Sequence, residues 1–173
     1  MNKKNNRNVW KGLVAGVVGG VVASWTMDRF QYWWLSFGGG DERELQQAPS
    51  EEGIPEEPAT VKTASAISEG VFGHSLCDRE KEIAGPFVHY AVGTTAGAVY
   101  GLAAEYEPDV TTLAGIPFGA AFWMVVDEGA LSLLGLAKGP TAYPISTHAY
   151  ALASHLVFGL TAEVVRSTVR RAL

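Results

Sequence analysis

Asp28, His89, Asp127, His148 and His155 are ionisable side chains at or within apolar stretches of a 173-residue chain. Groups of this kind are costly inside a bilayer, so they mark functional candidates by default. An aspartate close to a histidine can hold and release a proton, because histidine changes charge between about pH 5 and 8. The same residue types can ligate a metal, or can pair only to lock helices together. Counting 1.5 Å per residue from the inner ends of their stretches places Asp28 and Asp127 about 25 Å along, near the outer edge of a bilayer core. His89 and His148 open the following stretches at that level, and His155 lies about 10 Å deeper on the face of His148. A neutral His155 bonded to a backbone group, or to a hydroxyl such as Thr94 or Ser154, would need no function. Arg29 and Glu128 follow the two aspartates and offer a neutralising ion pair. Glu105 and Glu163 fall at the inner edge, where they read as interfacial caps.

Other chemistry is weak. No nucleophile has an obvious base partner, and Ser146-Thr147-His148 is too ordinary to claim as one, so no enzyme is expected. Gly38-Gly39-Gly40 lacks the Lys-Ser/Thr and the strand-to-helix setting of a phosphate loop, and no cofactor is expected. Cys77 is the only cysteine, which excludes an intrachain disulfide and any multi-cysteine metal site. There is no basic patch with interleaved aromatics, so nucleic acid is not an expected partner.

The elements that must carry these residues are membrane spans. The apolar content of 47% with a mean hydropathy of +0.10 resembles a soluble protein, but that average hides segregation. Residues 38–85 hold eleven acidic and four basic side chains, whereas 87–104 hold none. Four stretches approach the roughly 20 apolar residues that a bilayer asks of a helix. They run over residues 9–27, 87–104, 110–136 and 147–165. Trp10 before the first, and Tyr32, Trp33 and Trp34 after it, suit interface anchors. Lys3, Lys4, Arg7 and Lys11 at one terminus, and Arg166, Arg170 and Arg171 at the other, place both termini in the cytoplasm, which requires an even number of spans. The acidic loop 38–85 then lies outside, and Tyr106–Asp109 forms a tight inside turn. Pro49, Pro55 and Pro58 punctuate an irregular acidic stretch over 41–57. Beyond it, Val61, Ala64, Ile67, Val71 and Phe72 share one face of a short amphipathic helix over 58–73. Cleavage of the first span after Ala23 as a secretory signal is an alternative that the three later spans disfavour.

Self-comparison suggests a repeat. Ala15-Gly16, Gly20 and Asp28 recur 99 residues later as Ala114-Gly115, Gly119 and Asp127, and the run Val99 to Glu105 recurs 58 later as Val157 to Glu163. Spans one and two thus resemble spans three and four in the same orientation, which implies a two-fold pseudo-axis along the membrane normal. Gly12, Gly16 and Gly20 form one ladder and Gly93, Gly97 and Gly101 another; with Gly115, Gly119 and Gly159 they are expected at close helix contacts.

The stretch GLAAEYEPDVTTLAGIPFGAAFWMVVDEGALSLLGL, with the later SHLVFGLTAEVVRSTVRR, resembles the YagU-like family of small bacterial inner-membrane proteins. The similarity covers residues 84–171, while the acidic segment 41–57 departs from it. It implies a multi-pass inner-membrane location and brings no catalytic residues. The expectation is an all-α membrane protein of one 173-residue domain, with two parallel-repeat hairpins and the lipid bilayer as its partner. Its expected role is a non-enzymatic structural, stress-related or accessory component, alone, as a homo-oligomer or beside another membrane subunit. The alternative is a small proton- or metal-linked transporter or channel. That alternative requires Asp28, Asp127, His148 and His155 to face one polar cavity.

Overall fold

The computed structural model describes residues 7–37 and 57–173, and every regular element among them is helical. Helix α1 spans Val9–Ser36, with the Asn8 side chain accepting the Lys11 N–H at 3.1 Å to satisfy one open donor of its first turn. Helix α2 spans Ala59–Ile67 and continues as a wider π turn over Ser68–Phe72, which ends at Gly73 in the left-handed conformation. Helix α3 spans Asp78–Tyr106 with Pro86 inside it. A 3₁₀ segment over Pro108–Gly115 leads into α4 (Ile116–Trp123), a π-helical segment over Met124–Ala130 and the short α5 (Leu131–Leu133). Helix α6 spans Ile145–Ala172. The segment 41–56 of the irregular stretch, Gly38 to Gly40, Lys3 and Lys4 lie outside the described residues.

Helix α1 is the centre of the bundle, packed against α3 on one side and α6 on the other, while α4 packs on α6 and α2 on α3. The α1–α3 contact is as close as backbones allow. A Cβ added at Gly16 would stand 2.3 Å from the Gly97 carbonyl oxygen, and one at Gly101 would stand 2.3 Å from that of Gly12. Gly20 meets the Gly93 carbonyl and Gly97 meets Gly16 in the same way. Between α4 and α6, a Cβ at Gly119 would fall 2.2 Å from the His155 oxygen and one at Gly159 2.4 Å from that of Gly115. Rings fill the remaining space around α4: Phe118 stacks on Tyr100 of α3 at 4.2 Å, and Phe122 meets Phe158 of α6 at 5.2 Å. These rings close over a buried cluster of Ala23, Met27, Phe158 and Ala162.

Two expectations need correction. Two helical stretches, Val9–Ser36 and Pro108–Leu133, are long and apolar enough to cross a membrane, not four. Helices α3 and α6 miss that measure because histidine, threonine, serine and glycine dilute their apolar runs. The third stretch does not start as a regular helix at Val110. Leu113, Ala114 and Gly115 take positive φ angles of 51°, 54° and 81°, so the chain turns there and the helix proper begins at Ile116, with Pro117 in its first turn. The short helix after the acidic segment forms, but only part of its apolar face is covered: Ala64 is buried and Val61 packs on Gly85, while Val71 and Phe72 are exposed.

Candidate functional site

A cavity of about 790 Å³ opens at the end of the bundle away from Asn8 and Leu173, and Asp28, His89, Asp127, His148 and His155 all line it. Helix α1 carries Asp28 beyond its glycine-packed half, and α3 brings His89 alongside, with Nε2 3.1 Å from Asp28 Oδ1. Tyr90 donates its hydroxyl to Asp28 Oδ2 at 2.8 Å. The π-helical segment carries Asp127 and Glu128, and its wider turn lets consecutive carboxylates both line the cavity. From α6, His148 Nδ1 lies 2.6 Å from Glu128 Oε1, and His155 Nδ1 lies 3.7 Å from Asp127 Oδ2. Four elements thus contribute three carboxylate–imidazole pairs to one cavity.

The structure supplies the pairings that spacing left open. Asp28 meets His89 and Tyr90, and Asp127 meets the deep His155. Of the partners the sequence allowed for His155, it takes the backbone one, its Nδ1 donating to the Ala151 carbonyl at 2.9 Å, and neither Thr94 nor Ser154 holds it. Glu128 and Tyr90 join the site unexpectedly, and Glu128 had a signal, since it sits beside an expected site residue in the sequence. Both nitrogens of His148 face oxygen acceptors, Glu128 and the Pro140 carbonyl at 2.9 Å. The Pro140 carbonyl can only accept, so Nε2 donates to it and Nδ1 is left facing Glu128. Among the described residues no group of three or more His, Cys, Asp or Glu side chains is placed to share a metal ion.

At the opposite end, Glu105 and Glu163 are tied into the bundle rather than reaching outward. Glu105 accepts from Arg170 Nε and from the Asn8 N–H at 2.9 Å, joining α3 to α6 and to the start of α1. Glu163 takes the guanidinium of the buried Arg166 at 2.7 and 2.8 Å and the Tyr100 hydroxyl at 2.9 Å. Lys11 Nζ donates to the carbonyl of Leu173, so the two described ends of the chain meet. Between this polar layer and the cavity stand Phe118, Phe122, Phe158, Met27 and Ala162.

Comparison of the chain with curated proteins and with solved structures finds no match. Residues 59–164, more than half of the chain, match a family described as "Protein of unknown function (DUF1440)". The matched stretch contains His89, Asp127, Glu128, His148 and His155, but stops short of Asp28 and Arg166. The chain belongs to the DUF1440 family of proteins of unknown function.

Proposed function

We propose that this is a non-enzymatic, four-span protein of a bacterial inner membrane, with both termini in the cytoplasm, that binds a small solute in its outer cavity and links this to protonation. The observation that carries the proposal is the convergence of three carboxylate–imidazole pairs, from α1, α3, the π-helical segment and α6, on one cavity. A pair that only locks two helices has no reason to line a space large enough for a molecule. The membrane setting is supported by surface pattern as well as by the two apolar helices. Trp25, Val99 and Val125 are exposed at 57%, 60% and 65%, while Ser24, Ser154 and Arg166 are buried. Lipid is the partner that tolerates such an exterior. The parallel repeat is supported by matching contacts, since Gly16 meets Gly101 as Gly115 meets Gly159.

The titratable groups of the cavity are those six paired residues together with Arg29, Lys81, Glu82, Lys138, Tyr32, Tyr143 and Tyr150. Histidine is the residue type among them whose reference value lies in the physiological range, which makes proton linkage the property to test. Protein reconstituted in liposomes under a pH gradient should pass protons faster than protein-free vesicles, and Asp28→Asn with Asp127→Asn should remove the excess. Equal flux in all three samples would exclude proton linkage. A structural or accessory role without passage is the second reading, favoured by the closed inner half, where ring packing and the two arginine–glutamate pairs leave the cavity a floor.

A further inference from the structure

We propose that the outer cavity binds an organic cation, a protonated or quaternary amine with an apolar body, whose charge rests against Asp127. The proposal builds on the solute-binding reading above and names the class of solute. Its basis is an asymmetry among the three carboxylates. Asp28 accepts the Tyr90 hydroxyl and faces His89, and Glu128 is bonded to His148 at 2.6 Å. Asp127 has no such donor. Its ion-pair partner, His155 Nδ1, stands 3.7 Å away, beyond hydrogen-bond reach, and that nitrogen already serves the Ala151 carbonyl. A carboxylate accepts several hydrogen bonds, and Asp127, with about 32% of its side chain exposed, receives none from the protein. It is the carboxylate of the three that is free to face the charge of a bound cation.

A second, independent observation points to a ligand. Ser24, on α1, is fully buried and lines the cavity, yet its hydroxyl has no hydrogen-bond partner, and the buried hydroxyl of Thr147, on α6, has none either. Buried polar groups are nearly always partnered, so two orphans among the lining residues mark places where a bound molecule supplies the contact. The remaining wall is apolar and aromatic, with Met27, Val126, Phe122, Tyr150 and Phe158. Aromatic rings attract cations as well as apolar groups. The volume of about 790 Å³ is of the size that holds a small organic molecule rather than an ion alone. An anion would meet four carboxylates, Asp28, Glu82, Asp127 and Glu128, against three lining cations, Arg29, Lys81 and Lys138, of which Lys81 is already held by Glu57 at 2.7 Å. A lipid chain would fill the space but leave Asp127 unanswered.

The test is calorimetric titration of detergent-solubilised full-length protein with benzyltrimethylammonium, and in parallel with benzenesulfonate of similar size. The cation should bind saturably and the sulfonate should not. Asp127→Asn should weaken cation binding at least tenfold, and Glu107→Gln, exposed at the far end, should leave it unchanged. Ala151→Trp fills the cavity without altering its charge and should abolish binding, which keeps the test decisive if Asp127→Asn does not fold. Equal binding by wild type and Asp127→Asn, equal binding of the sulfonate, or binding undisturbed by Ala151→Trp would overturn the proposal. No gradient is involved, so cation binding without proton flux would remove the proton linkage and leave this site standing. Proton flux without cation binding would do the reverse.

Discussion

Glu80 sits in the first turn of α3, ahead of the apolar run 87–104, and accepts the Cys77 N–H at 2.8 Å on Oε2. His74 Nε2 stands 3.1 Å from the same carboxylate. The backbone hydrogen bond first, and then the His74 contact, hold its carboxyl below the usual carboxylate range. A carboxyl whose folded value is depressed contributes stability that is complete above the unfolded value and is lost as pH falls through the folded one. Hydrogen-exchange protection of residues 77–82, corrected for intrinsic rates, should therefore hold at pH 6 and fall below about pH 4. Glu80→Gln should flatten that dependence, and identical wild-type protection at pH 3 and pH 6 would contradict the account. Residues such as Asp28, Asp127 and His155 are legible in the sequence because ionisable groups inside apolar runs are few. Their partners are not legible. Whether Asp127 meets His148 or His155 depends on how far the chain rotates between them, and no spacing rule reports that rotation.

Glycine positions on α1 and α3 are the most legible feature at the scale of elements, since a four-residue spacing keeps small residues on one face. Gly97→Ala puts a methyl group 2.5 Å from the Gly16 carbonyl oxygen, a backbone atom that cannot rotate away. Overpacking of this kind costs about 1–3 kcal/mol. Gly97→Ala and Gly16→Ala should each lower the melting temperature of the detergent-solubilised protein by several degrees. Gly139→Ala, with nothing within 4 Å, should leave it unchanged. Equal melting of all three variants and wild type would mean that the helices do not approach as closely as drawn. What spacing does not reveal is the departure from regular helix. The left-handed turn at Leu113 and Ala114 uses residues that disfavour it, at roughly 1–2 kcal/mol each, so only the tertiary contacts of Gly115 with Gly159 can hold it there. The π-helical turn around Asp127 is equally silent, because its residues are ordinary for an α-helix.

For the whole molecule, the arrangement of ends decides topology. Lys11 reaches the carbonyl of Leu173, and Arg170 joins Glu105 beside Asn8, so both described ends of the chain lie at one end of the bundle. The helices α1, α3, the α4-to-α5 stretch and α6 therefore run four lengths of the bundle, and the proposed four-span reading takes each length as one crossing. The direction follows from basic residues: Arg7, Lys11, Arg166, Arg170 and Arg171 gather at the end that holds the termini, and lysine and arginine flanking short segments favour the cytoplasmic side. The opposite end is not free of them, since Arg79, Lys81 and Lys138 lie there, but Lys81 is bound to Glu57 and the segment around it is acidic. In the proposed orientation the cavity opens outward, where external pH and external solutes would reach it. A reporter active only outside the cytoplasm should be active when inserted at Ser75, between α2 and α3, and inactive when fused after Leu173. Activity in the reverse pattern would invert the bundle and turn the cavity to the cytoplasm. Activity at both positions would mean an odd number of crossings, which the contacts among Lys11, Leu173, Glu105 and Arg170 could not accommodate.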